Sequence, residues 1–216
     1  MKYLYQYLTV LLLVSSQVFA EQQTFFADEL LDIQQRWARI NYSLQGDEQQ
    51  DAFKQLVKQT EQFSLNYPQR AEPWIWKGII QSSYAGAKGG LGALSLVKEA
   101  KKSLERAIKI DESALSGSAY TSLGTLYHQV PGWPIGFGND KQAKKLLEKA
   151  CLINPQGIDS NYFYGSFLYD EGDYQQAKKR LLVAQHAPKR SNRPLADKER
   201  QKEVAQLLAK VEQKIR

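Results

Sequence analysis

The chain has one cysteine, Cys151, and two histidines, His128 and His186. A lone cysteine cannot close an internal disulfide, so stability must come from packing even in an oxidising compartment. A zinc centre takes three or four His, Cys or carboxylate ligands at motif spacing, and neither histidine belongs to such a set. A thiol nucleophile would have to be Cys151 with His128 as its base. Cys151 follows Ala150 near the end of a helical pattern, where cysteine commonly serves as a small core residue. No Gly-Lys-Ser/Thr follows the glycines around Lys88, so no phosphate loop is present, and these glycines are read as turn positions of positive φ. No catalytic residue, metal or cofactor is expected, and the chain is expected to act without catalysis.

Long apolar runs are also lacking. The run at residues 8–14 falls short of the ~20 residues that span a bilayer. With Lys2 before it and Val18-Phe19-Ala20 after it, residues 1–20 read as a signal peptide cleaved ahead of Glu21. Export to the periplasm is the expectation, with no transmembrane segment and no lipid anchor, since Cys151 lies far from the cleavage site. That address argues against nucleic acid as the partner of a chain of net charge +6. The basic residues gather late, in Lys178-Lys179-Arg180, Lys189-Arg190, Arg193 and residues 198–202. Interleaved with Gln and Glu, they read first as a solvated helix face, with anionic headgroups or an acidic partner as alternatives.

Helical periodicity fills most of the remainder. After a short leader at residues 21–27, Leu30, Ile33, Trp37, Ile40 and Leu44 recur at three- and four-residue steps. A second helix follows Gly46 through Phe53, Leu56, Val57, Thr60 and Phe63 and stops before Asn66-Tyr67-Pro68. Asp47 with Gln50, Asn139 with Gln142 and Asp173 with Gln176 read as N-terminal capping pairs, which satisfy backbone N–H groups that have no partner inside the helix. The chain closes after Pro194 with Val204, Leu207, Leu208, Val211 and Ile215 on one face.

Between these ends, Gly78, Gly124 and Gly165 stand at equivalent places in three first helices, four residues after Trp74, Tyr120 and Asn161. The second helices carry Ala100, Leu104 and Ala107; Ala143, Leu147 and Ala150; and Ala177, Leu181 and Ala184. The intervals from glycine to first alanine are 22 and 19 residues in the first two units against 12 in the third. The first two units therefore hold insertions, around residues 84–92 and 131–138, which are glycine-rich and expected to lie on one side of the stack.

This order of residues resembles the tetratricopeptide repeat, whose units of about 34 residues pair two helices. The resemblance implies an all-α helical-hairpin solenoid with two loop-enlarged repeats and capping helices at both ends, with residues 21–216 as one domain. Its repeats would lie at about 71–116, 117–157 and 158–191, with a C-terminal cap helix at about 196–216 and the leading helix pair as the opposite cap or a degenerate repeat. In such families the exposed positions of the first helices line a concave groove. Carried over residue by residue, these are Ile75, Ile79, Thr121, Thr125, His128, Gln129, Tyr162, Ser166, Tyr169 and Asp170. The groove has no Arg or Lys clamp for a C-terminal carboxylate, and its tyrosines suit a peptide, a protein helix or a small amphipathic ligand, unless they pack internally.

Trp133 and Phe137 in the second insertion either fold inward as core, the favoured reading because prolines flank Trp133, or project as binding anchors. The function implied is a periplasmic interaction scaffold for another envelope protein or peptide. A ligand-binding accessory is the alternative, because the chain looks distantly like the T component of tripartite ATP-independent periplasmic transporters. That family is typically trimeric, which leaves a homo-oligomer open.

Overall fold

A computed structural model describes residues 2–215, with side chains from Gln23 onward apart from Leu91. Among the described residues the chain is all-α: α1 (Lys2–Ser43), α2 (Gly46–Asn66), α3 (Ala71–Lys88), α4 (Gly90–Ile110), α5 (Ala114–Gln129), α6 (Asp140–Ile153), α7 (Ile158–Asp170), α8 (Tyr174–Gln185) and α9 (Pro194–Ile215). The expected signal peptide, residues 1–20, lies outside the residues whose side chains are described. No helix among the described residues is long and apolar enough to cross a membrane.

Each of the three glycines lies directly against a leucine of the paired helix. A Cβ on Gly78 would meet Leu104 Cγ at 2.6 Å, one on Gly124 would meet Leu147 Cγ at 2.8 Å, and one on Gly165 would meet Leu181 Cγ at 2.9 Å. Each leucine fills the notch left by the missing side chain, and all three are buried. The hairpins α3–α4, α5–α6 and α7–α8 are thus built on one repeated contact. Their helices begin as the capping pattern predicts in two cases. Asn139 accepts from the Gln142 N–H at 2.9 Å and Asp173 from the Gln176 N–H at 3.2 Å.

The third capping pair does not form. α2 starts at Gly46 with Gln45 as its cap residue, which places Asp47 inside the first turn, where its charge faces the positive end of the helix dipole. Residues 21–27 are not a leader either, since α1 runs through them. Phe26 is buried there, stacked on Phe63 at 5.2 Å and edge-on to Tyr67 at 4.8 Å.

Successive hairpins pack so that α1, α3, α5, α7 and α9 each touch the next odd-numbered helix, while α2, α4, α6 and α8 touch only their sequence neighbours. The odd helices therefore form an inner layer and the even ones an outer layer. α1 also touches α9, so the five inner helices close on themselves.

That closure makes α9 more than a cap. Its Val204 packs with Ile158 and Ala184, and its Leu208 and Val211 join the cluster of Leu168, Ala177 and Leu181.

The first insertion is not a loop. α3 continues to Lys88 and α4 starts at Gly90, leaving only Gly89, at φ 63°, between them. The extra residues lengthen both helices because Ala85 and Val97 gain buried positions in the core shared with α5.

Candidate functional site

Closure of the inner helices leaves a cavity of about 1040 Å³ lined from all five of them. α1 supplies Gln34, Trp37 and Asn41, and α3 supplies Trp76, Ile79, Ser82 and Ser83. α5 contributes Ser118, Thr121, Ser122, Thr125 and Gln129 along one face at helical spacing. Both insertions reach the same cavity, the first through Gly86, Ala87 and Gly90, the second through Pro131 and Ile135.

The entry to α5 is strained. Leu115, Ser116 and Gly117 hold φ of 47°, 56° and 74°, and the first two also line the cavity. Side chains with a Cβ adopt this region at a cost of order 1–3 kcal/mol each, and such residues gather at functional sites.

Where the start of α7 meets α9 and the turn before it lies a charged cluster. Asp159, the second residue of α7, accepts from Arg190 Nη1 at 2.8 Å and from Arg200 Nε at 3.0 Å. Asp197 holds Arg190 from the other side, accepting from its backbone N–H at 2.7 Å and its Nε at 2.7 Å. Arg200 also pairs with Glu203 and lies 4.5 Å from the ring centres of Tyr162 and Phe163. Burial alone would raise the Asp159 pKa, but Arg200, Arg190 and Arg193 outweigh it and hold the carboxyl well below its ordinary value. Arg193 completes the group, 5.1 Å from the Trp76 ring centre and 5.7 Å from that of Trp37. The three guanidinium groups gathered here face three carboxylates, and the N–H donors left over suit a ligand that accepts hydrogen bonds.

No family model matches the chain, and no curated protein matches it. The geometry therefore stands as the guide to the site.

Of the residues placed in a groove from the sequence, Ile79, Thr121, Thr125 and Gln129 line the cavity, whereas Ile75 is fully buried core. Tyr162, Ser166, Tyr169 and Asp170 line a different, smaller groove of about 250 Å³ with Glu203, Gln206, Leu207 and Lys210. The third unit presents another face because α9 packs against α7, and its cavity positions are Ile158, Asp159, Ser160 and Phe163.

The basic residues at 190, 193 and 200 are not a solvated face. Arg190 and Arg200 turn inward because Asp159 and Asp197 lie within reach, a pairing over as many as 41 residues that no local pattern announces, and Arg193 lies against the Trp37 and Trp76 rings. Trp37 was legible only as one apolar position of α1.

The second insertion divides between the two readings offered for it. Phe137 packs edge-on against Tyr127 at 5.4 Å. Trp133, expected as core, is 91% exposed and lies outside the cavity lining. The chain turns it outward because Gly136 and Gly138 press against the backbone of Pro131 and Val130, at 2.4 and 1.8 Å from where a Cβ would sit, so no room remains under the loop for an indole. Trp133→Ala is therefore expected to change stability by no more than about 0.5 kcal/mol, as for ordinary surface positions. Urea denaturation checks this, and a loss of several kcal/mol would mean that the side chain packs inward in solution.

Cys151 and His128 do not act on each other. The thiol is buried, contacts the Ser160 carbonyl oxygen at 3.4 Å, and has its pKa pushed up to about 11, mainly by burial. His128 is held by Asp140 at Nδ1, 2.9 Å, and by Asp170 at Nε2, 3.0 Å. Ionised carboxylates only accept, so both contacts are satisfied only when both ring nitrogens carry protons.

Burial lowers the His128 pKa, but the Asp170 and Asp140 hydrogen bonds outweigh it and leave the value above the ordinary 6.5. Its stabilisation is thus fully present below the unfolded value and is lost as pH rises through the higher folded one. The gap in melting temperature between wild type and His128→Asn is expected to shrink from about pH 5.5 to about pH 9. A gap that stays constant would mean that the imidazole is neutral throughout.

Proposed function

We propose that the protein is a non-enzymatic binding protein that carries a small, partly apolar molecule in the cavity of its closed inner layer. The observation that carries this reading is the contact of α1 with α9. A scaffold that takes up a peptide along a concave face needs that face open at its side, and here the first and last inner helices meet across it. Apolar side chains of α3 and α4 together with a row of α5 hydroxyls fit the usual make-up of ligand sites, which are mainly apolar with a few placed polar groups.

The three hairpins, each with a glycine notched by a leucine, support a tetratricopeptide-like repeat as the framework. Residues 1–20 would direct the chain to the periplasm, where an accessory role in transport agrees with a cavity of this kind. The exposed Trp133 and the groove around Tyr162 and Tyr169 are then the surfaces left for an envelope partner.

Mass spectrometry of protein purified from the periplasm without denaturation tests both parts. Its intact mass should correspond to a start at Glu21, and it should release a bound small molecule. Thr125→Trp, which fills the lumen, should abolish that cargo. Protein that carries nothing, and whose melting no apolar ligand raises, would return the interaction scaffold as the better reading.

A further inference from the structure

Within the charged cluster one cation differs from the others. Arg190 and Arg200 are each ion-paired, to Asp159 and Asp197 and to Asp159 and Glu203. Arg193 forms no ion pair among the described residues, and its Nε is a buried donor without an acceptor. The indole N–H of Trp76, whose ring lies 5.1 Å from the Arg193 guanidinium carbon, is a second buried donor without an acceptor. Trp37 beside them is satisfied, donating to Ser83 Oγ at 2.9 Å.

Buried N–H groups nearly always find a partner, and leaving one unmade is costly. Here both orphans belong to residues that line the same cavity. Burial lowers the Arg193 pKa, with Asp159 opposing, yet a guanidinium stays charged in proteins. The cation lies over the face of the ring that carries the neutral donor, and an acceptor that bears negative charge would answer both.

The count of charges limits how much. Arg190, Arg193 and Arg200 face Asp159, Asp197 and Glu203, so the cluster is already balanced, and only one guanidinium lacks a pair of its own. A second negative charge on the ligand would stand near Asp159 with no cation to meet it. The α3 and α4 parts of the lining include the apolar side chains of Ile79, Ala93, Leu94 and Val97. Cavities that hold small ligands measure about 300–1,000 Å³. At about 1040 Å³ this one accommodates a long apolar body as well as its polar head.

We propose that the cavity binds a monoanionic carboxylate amphiphile, whose carboxylate accepts from Arg193 and from the Trp76 indole N–H while its apolar chain lies along α3 and α4. This rests on the ligand-binding reading above and adds the class of ligand to it.

Dodecanoate is the probe, with dodecanol as the same tail without charge, acetate as the head without tail, and dodecyl phosphate as the dianionic head. Each is titrated calorimetrically, below its aggregation limit, into the wild-type chain, Arg193→Gln and Trp76→Phe, with the melting curve of each variant taken beside it. Dodecanoate should bind with one-to-one stoichiometry, at least about ten-fold more tightly than dodecanol or dodecyl phosphate, and acetate should not bind measurably. Arg193→Gln should weaken dodecanoate about ten-fold or more, to the level of dodecanol, the loss of one charge-assisted bond. Trp76→Phe, which keeps an aromatic ring there but removes the N–H, should weaken it several-fold and serves should the arginine variant fail to fold.

Equal binding of dodecanoate and dodecanol, or an Arg193→Gln chain that melts normally and keeps full dodecanoate affinity, would overturn the carboxylate while leaving the cavity as a ligand site. Tighter binding of dodecyl phosphate would overturn the monoanion. Failure of every tailed probe to bind would remove the ligand-binding reading itself.

Discussion

Asp159→Ala is expected to lower stability by about 3 kcal/mol, near the lower end of the range for removing one partner of a buried ion pair. Asp159 accepts from Arg190 and Arg200 at once, and it ties the start of α7 to the turn before α9 and to α9 itself. Arg200 is only 9% exposed, so without the carboxylate its charge has nowhere to be hydrated, while Asp159 keeps 30% exposure, which reduces the effect. Asp159→Asn should recover only part of the loss, because an amide oxygen still accepts but carries no charge. Chemical denaturation of both variants decides it, and an unchanged midpoint for Asp159→Ala would mean that the cluster is not held together by this residue.

The sign of the pH dependence follows from the lowered Asp159 pKa. Its contribution is fully present above the ordinary carboxyl value of 3.8 and is lost as pH falls below that toward the folded value. His128 works in the opposite direction at higher pH.

Deletion of α9 from Ala196 onward is expected to abolish the monomeric folded state. Val204, Leu208 and Val211 are buried, and full burial of each such side chain contributes roughly 1.5–3 kcal/mol. Their loss is comparable with the whole stability of a domain, about 5–15 kcal/mol. The partners they leave, Ile158, Leu181 and Ala184, become an apolar face without cover, and the removal of Arg200 and Asp197 dismantles the charged cluster. Light scattering with circular dichroism should find aggregated chain or chain of reduced helicity. A monomeric truncation of equal stability would overturn the assignment of α9 as the helix that closes the inner layer.

Much of the framework can be read from single residues. Gly78, Gly124 and Gly165 could be aligned with Leu104, Leu147 and Leu181 because a close helix crossing needs a missing Cβ opposite a large side chain, and both halves of that contact recur in the chain. Asn139 and Asp173 could be named as caps because their acceptors lie three residues away in sequence. The first insertion was misread as a loop since glycine is poor in a helix interior, yet the burial of Ala85 and Val97 against α5 overrides that local preference.

The sequence by itself determined the all-α class, the pairing of helices into hairpins and Thr121, Thr125 and Gln129 as one face of α5, all of which depend on neighbours a few turns away or on a repeated contact. Only the tertiary structure decided that α1 meets α9, that Arg190, Arg193 and Arg200 turn inward, and that Trp133 turns out. Those outcomes depend on small offsets added from hairpin to hairpin until distant ends meet, and on charges that find each other across the closed layer. Periodicity along one helix carries no record of either.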